Sequence, residues 1–204
     1  MYRLAPKSRL ALYREATIER GNGAKFEIPL TLCGRSKTET YNEIDKQFTK
    51  FLSKYSLDIT GRMSTLNSFL FANFPRMNFV GFYTVRTPGE LLQVGPYQGE
   101  MLACGGIPWG KGVCGTAAAT GETQIVRDVR ELQNYIACDE DTLSEIVIPV
   151  YATAFHSETP TSPGDASAPK KLIAVLDIDC DAVGAVDEED AINLKALLEK
   201  FIIV

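Results

Sequence analysis

Between positions 41 and 74, apolar residues recur at spacings of three and four. Ile44, Phe48, Phe51, Leu52 and Tyr55 form one stripe, and Ile59, Met63, Leu66, Phe69 and Leu70 form a second. That period predicts two amphipathic helices, the second opening near Asp58 and stopped by Pro75. The pattern then shortens. Residues 78–85 are aromatic and β-branched, Thr87-Pro88-Gly89 makes a turn, 90–94 returns as a partner strand, and 98–104 reads as a third. Residues 105–112 hold four glycines, one proline and the only tryptophan, and read as a loop. A short helix over 113–120 ends at Gly121, a strand covers 124–126, and Asp128 caps a helical turn reaching Gln133. Further strands are predicted at 146–151 and 172–178. Asp187, Glu188, Glu189 and Asp190 open a last helix, where acids suit the positive end of the helix dipole. Its apolar positions are Ile192, Leu194, Leu197, Leu198 and Phe201.

Two segments fall outside this pattern. Residues 1–35 read as an N-terminal extension, with a short helix over 10–20, a stop at Gly21-Asn22-Gly23 and a short strand over 26–32. Cys33 reads there as a thiol without a role. Residues 152–171 carry Pro160, Pro163 and Pro169 among small polar residues, together with the single histidine, His156. That composition predicts a surface insertion. The expected organisation is an extension at 1–35 and one domain at 36–204, with the insertion at 152–171. Hairpin-linked strands among helices give an α+β chain with an antiparallel sheet.

Composition changes this picture little. Of 204 residues, 45% are hydrophobic and 23% charged, an ordinary globular mixture. The net charge of −5 comes with no long basic run, which argues against nucleic acid as a partner. No apolar run reaches the roughly 20 residues that cross a bilayer. Five cysteines and no secretory apolar segment point to a reducing compartment, the cytoplasm. Arg3, Lys7, Arg9 and Arg14 resemble a mitochondrial targeting segment in composition, but Glu15 and Glu19 follow closely.

The chemistry-bearing residues are thiols and acids. A Ser–His–Asp triad would need His156, which sits in the predicted insertion. Cys104, Cys114 and Cys138 with a carboxylate are candidate zinc ligands, yet their spacings of 10 and 24 include no Cys-x-x-Cys pair. Reactive thiols fit the glycine-rich and polar surroundings better. Cys114 follows Lys111 and begins a short helix, so local charge makes it the better thiolate. Cys138 is followed by Asp139, Glu140 and Asp141, which disfavour a thiolate. Asp177 and Asp179 alternate on a strand and share one face, as a solvent-facing edge or as a site for a cationic ligand. Glu145, just before a buried strand, is placed to join them.

These residues together resemble the free methionine-(R)-sulfoxide reductases. The resemblance rests on 94–99, Ala103-Cys104, 110–118, 136–139, Ser144-Glu145 and 176–179, in that order, and spans about 41–202. It implies a GAF-like fold, with a central six-stranded antiparallel sheet flanked by helices and a pocket on the face away from them. It implies reduction of free methionine sulfoxide, with Cys138 attacking, Cys104 resolving and Cys114 as alternate or relay. Glu145, Asp177 and Asp179 would contact the substrate, and Phe79 and Tyr83 would receive its methyl group. Many relatives have tryptophan where this chain has Phe79, which implies a smaller aromatic wall. The implied cycle runs through a sulfenic acid and a disulfide, recycled by a thioredoxin-like dithiol protein, with no metal or organic cofactor. Relatives often form homodimers. The resemblance and the local charge thus name different nucleophiles, and the expectation carried forward is Cys138. The rival reading is a GAF small-molecule sensor without catalysis, disfavoured because the chain leaves no room for an output domain.

Overall fold

The computed structural model describes residues 35–99, 101–133, 135, 139–152 and 171–203. The elements run α1 (Lys37–Leu52), α2 (Ile59–Asn73), β1 (Met77–Thr87), β2 (Leu91–Gly99), β3 (Gly106–Pro108), α3 (Gly112–Thr120), β4 (Gln124–Val126), a 3-10 turn (Val129–Glu131), β5 (Ser144–Ala152), β6 (Lys171–Cys180) and α4 (Glu188–Phe201). The six strands form one sheet in the order β3-β2-β1-β6-β5-β4, and every neighbouring pair is antiparallel. The N-terminal extension, apart from Arg35, and nearly all of the predicted insertion lie outside the described residues, as do Cys33 and His156.

Caps fix where the helices start. Ser36 and Glu39 form a capping box on α1, and Asp58 accepts from the Gly61 N–H on α2. Asp187 and Asp190 form a second box on α4. The α1 and α4 starts are tied together. Lys37 Nζ lies 2.7 Å from Asp187 and 2.5 Å from the buried Asp190, and the Tyr41 hydroxyl donates to Asp190 at 2.8 Å. Helices α1, α2 and α4 cover one sheet face, with Phe48, Leu66, Phe82, Ile146, Leu176 and Leu194 among its buried side chains. The other face carries a smaller cluster under α3, built on Phe79, Tyr83, Cys114, Val147 and Val175.

Several expectations need correction. The predicted strand over 98–104 does not form. Gln98 and Gly99 remain in β2, paired with Val80 and Phe79, and the third strand is Gly106–Pro108 against Leu91–Gln93, inside the expected loop. Met101 and Leu102 suggested a strand by composition, but they are 50% and 86% exposed. Pro108 is tolerated because β3 is an edge. Tyr55, beyond the end of α1, Ile59, at the start of α2, and Ile192, within α4, are also exposed and drop out of the predicted stripes. The turn after Asp128 ends at Glu131, not Gln133. Among the described residues no helix is long and apolar enough to cross a membrane.

Gly81 lies mid-strand, where the rings of the second face crowd the backbone. A Cβ there would meet Phe79 Cζ and Tyr97 Cβ, each at 2.6 Å. Gly81→Ala is expected to lower unfolding stability by about 1–3 kcal/mol, the usual cost of overpacking. Urea denaturation checks this, and an unchanged midpoint would refute the crowding.

Candidate active site

Strand alternation sorts the side chains of β6. Ala174, Leu176, Ile178 and Cys180 join the helix-covered core, so Asp177 and Asp179 project to the opposite face. The β5 register sets Glu145 directly across from Asp179, and Asp177 lies across from Gly81 on β1. β6 is a central strand, flanked by β1 and β5. The solvent-edge alternative for the two aspartates is therefore excluded. Glu145, Asp177 and Asp179 are 5%, 6% and 7% exposed.

Helix α3 closes over this face. Its start, after Lys111, brings in Cys114, whose sulfur lies with a Glu145 and an Asp177 oxygen in one group spanning no more than 4.8 Å. A cavity of about 20 Å³, the size of a single water, is lined by Cys114, Tyr135, Glu145, Asp177 and Asp179 with Ile107 and Val113. A larger groove of about 540 Å³ adjoins it, sharing Gly112 and Val113 and lined also by Lys111, Gln124 and Leu132. The three acids converge on the small cavity.

Burial governs the protonation of this cluster. It pushes Glu145 and Asp179 well above the usual carboxylate range, and the neighbouring acids add to the push. Asp177 rises only to about 6, because the Cys114 thiol and the Glu145 carboxyl both hydrogen-bond to it and offset part of its burial. Its Oδ1 is buried without a partner. Among the described residues no lysine or arginine pairs with any of the three acids. The result is a proton-sharing acidic pocket that lacks a cation.

The thiols separate. Cys114 is free and buried, and burial followed by the charges of Asp177 and Glu145 raises its thiol well above the ordinary value. The local features expected to favour a Cys114 thiolate therefore do not prevail in the fold. The helix start and Lys111 are outweighed by carboxyls contributed from two other strands. Cys104 is disulfide-bonded, so it is not free for the three-cysteine zinc arrangement. Cys138 lies outside the described residues. The described residues able to hold a metal ion are Cys114, Glu145 and Asp177, and a metal there would have to displace the protons they share.

Phe79 and Tyr83 sit in the cluster on this face, ring centroids 6.4 Å apart, though neither lines the small cavity. The Tyr83 hydroxyl is raised by burial and then by Asp177, which places it beside the acids. Sequence reasoning missed two residues. Tyr97 stacks on Phe79 at 5.5 Å, and Tyr135 lines the cavity, its hydroxyl interacting with Glu145. Tyr97 belonged to the quoted run 94–99 but drew no role. Tyr135 lies three positions before Cys138, and that proximity was its only signal.

No protein-family model matches the chain. The chain is 31% identical over 163 residues to free methionine-R-sulfoxide reductase of Escherichia coli, covering 80% of this chain and 87% of that protein. The solved free methionine-R-sulfoxide reductase from Neisseria meningitidis, in complex with its substrate, superposes with a TM-score of 0.69 at 31% identity. That match covers 86% of this chain and 94% of the other. A GAF sensor protein from Burkholderia vietnamiensis matches with a TM-score of 0.67 at 35% identity, over 82% and 94% of the two chains. The described architecture is thus a GAF fold, α+β with a six-stranded antiparallel sheet.

The raised carboxyls carry a pH signature. Below about pH 3 they are neutral whether the chain is folded or not, and they impose no penalty. As pH rises past the unfolded value of 3.8 toward about 6, the unfolded chain releases the Asp177 proton more readily, and stability falls. The difference from 3.8 to about 6 for Asp177 corresponds to roughly 3 kcal/mol. Asp177→Asn is therefore expected to stabilise the ligand-free protein at pH 7.5 by up to roughly that amount and to leave it nearly unchanged at about pH 3. Thermal unfolding at the two pH values checks this, and an equal effect at both would contradict it.

Proposed function

The chain belongs to the free methionine-(R)-sulfoxide reductase family of oxidoreductases, and we propose that it reduces free methionine (R)-sulfoxide to methionine by thiol chemistry at this acidic pocket. The observation that carries the reading is the buried trio of Glu145, Asp177 and Asp179, with which no lysine or arginine pairs among the described residues. A free amino acid brings that cation as its ammonium. A methionine residue within a polypeptide has none, so the pocket favours the free form.

In this reading Cys138 attacks the sulfoxide sulfur while a neutral carboxyl protonates the departing oxygen. Glu145 and Asp179, both held protonated by burial, suit the proton-donor role. The oxygen then passes from the methionine sulfur to the Cys138 sulfur as the bond between the two sulfurs breaks, so methionine leaves and Cys138 is left as a sulfenic acid. The Cys104 thiol condenses with it, releasing water and forming a disulfide. Support for this pairing is that Cys104 is disulfide-bonded, whereas Cys114 and Cys180 are free. A thioredoxin-like dithiol protein then reduces the disulfide by exchange and becomes oxidised itself. Cys114, protonated and buried beside Asp177, serves as a neutral hydrogen-bond donor and reserve thiol. Phe79 and Tyr83 form the aromatic side that faces the substrate methyl group. The cycle needs no metal or organic cofactor. The family resemblance carries a homodimer as the proposed assembly, and the cysteine usage carries the cytoplasm as the proposed compartment.

The test is turnover of the two epimers of free methionine sulfoxide with dithiothreitol, with methionine measured by chromatography. The R epimer is expected to be consumed and the S epimer spared. Cys138→Ser is expected to lower kcat/KM by roughly a thousandfold or more. Cys104→Ser should release one methionine per chain when no reductant is present and leave a sulfenic acid that dimedone traps. N-acetylation of the substrate, which removes the ammonium, is expected to lower kcat/KM at least about a hundredfold. No turnover of the R epimer, or binding without turnover, would replace this reading with the sensor one.

A further inference from the structure

Asn78 stands one residue before Phe79 near the start of β1, outside the carboxyl cluster, and is 7% exposed. Its Nδ2 donates to Oδ2 of Asp139 at 3.1 Å and to Oγ1 of Thr142 at 3.3 Å. Its Oδ1 is buried with no hydrogen-bond partner. Turning the amide over would bring that oxygen to the Thr142 hydroxyl, which can donate. It would also set the oxygen against the Asp139 carboxylate. The observed orientation keeps the bond to the charged acceptor, the stronger kind, and leaves a buried acceptor unpaired. Asp139 therefore dictates how Asn78 is held.

Asp139 is tied from its other side as well. Its Oδ1 accepts from the Asp141 N–H at 2.9 Å, and its carbonyl from the Thr142 N–H at 3.4 Å. The Leu143 N–H then donates to the Cys180 carbonyl at 2.8 Å, which fastens this turn to the end of β6. Asp139 directly follows Cys138 in the chain. Holding Asp139 fixes one end of the peptide that carries that thiol. The Asp139 charge also reaches Asp179 and contributes to keeping that carboxyl neutral.

We propose that Asn78 is a positioning residue for the reduction: by binding the Asp139 carboxylate against the start of β1, it sets where Cys138 is presented and where the Asp139 charge lies. The inference rests on Cys138 as the attacking thiol. The substrate-binding acids belong to β5 and β6, so Asn78 acts on the thiol's placement and not on affinity.

The experiment compares reduced wild type with Asn78→Ala, Asn78→Asp and the exchange Asn78→Asp/Asp139→Asn. Two readouts are taken: kcat and KM on free methionine (R)-sulfoxide, and the rate of Cys138 alkylation by iodoacetamide against pH, followed by peptide mass spectrometry. Asn78→Ala is expected to lower kcat about tenfold with KM within about twofold, and to shift the alkylation profile. Asn78→Asp sets two carboxylates against each other and should be worse at pH 7.5, recovering as the pH is lowered. The exchange rebuilds the bond with donor and acceptor reversed and should regain most of kcat and the wild-type profile. An unchanged Cys138 profile and kcat in Asn78→Ala, a loss confined to KM, or an exchange no better than Asn78→Asp alone would overturn the proposal. If Asn78→Ala does not fold, the last comparison decides. If wild type does not reduce methionine sulfoxide, the reductase reading fails, and the alkylation profiles still decide whether Asn78 places Cys138.

Discussion

Three carboxyls buried side by side, with no paired cation among the described residues, are the constraint on which this molecule is built. Like charges at that distance in a poorly solvated space cannot all be ionised. The protein meets the constraint with protons. Glu145 and Asp179 are held neutral by burial, and Asp177, which accepts from both Cys114 and Glu145, is the most acidic of the three. One pocket therefore contains an anion-forming group and two proton donors, separated by environment and not by residue type. A cationic ligand would reverse the balance, since a nearby positive charge favours ionisation of every carboxyl around it. Binding and proton release are then linked, and the group that yields its proton is already beside the ligand.

The rest of the fold makes that arrangement tolerable. β6 is two-faced: its odd-numbered side chains carry the acids, and its even-numbered ones enter the core beneath α1, α2 and α4. That core is large and apolar, and its burial offsets what the acid face costs. The opposite face is thin, covered by one short helix of small residues. Ala117 and Ala118 let α3 lie close, and Gly81 leaves room for Phe79 and Tyr97 to fold against the strand. A thicker cover would fill the cavity, and a more polar one would supply the acids with permanent partners.

Much of this was legible in the sequence because it follows from period and cap chemistry. Both N-terminal helices, the strand at 124–126, the Gly121 stop and the acid-capped last helix come from local rules that the structure obeys. The alternation of Asp177 and Asp179 gave their common face, but not its burial. Burial depends on β6 lying between β1 and β5, and strand order is not written in any one strand. The misread third strand has the same origin. Met101 and Leu102 look like strand residues by composition, whereas Gly106–Pro108 pairs because β2 offers Leu91–Gln93 an open edge. Tyr135 and Tyr97 were missed because their partners, Glu145 and Phe79, are brought to them by strand pairing and loop placement and not by local period.

The thiols show most clearly where local reasoning fails. Judged by neighbours in sequence, Cys114 had a lysine and a helix start, while Cys138 had three acids. In the folded chain burial raises the Cys114 thiol first, and Asp177 and Glu145, brought from β6 and β5, raise it further. An acid beside Cys138 in sequence is likewise no measure of its influence there. Asp139 is drawn onto the Asn78 amide and the Asp141 backbone, so its carboxylate is committed to the turn. Thiol reactivity in this pocket is therefore decided by where carboxyls are anchored across strands. In the proposed reading of Cys138 as the attacking thiol, the bond between Asn78 and Asp139 is what ties the carboxylate that follows it in the chain to the turn.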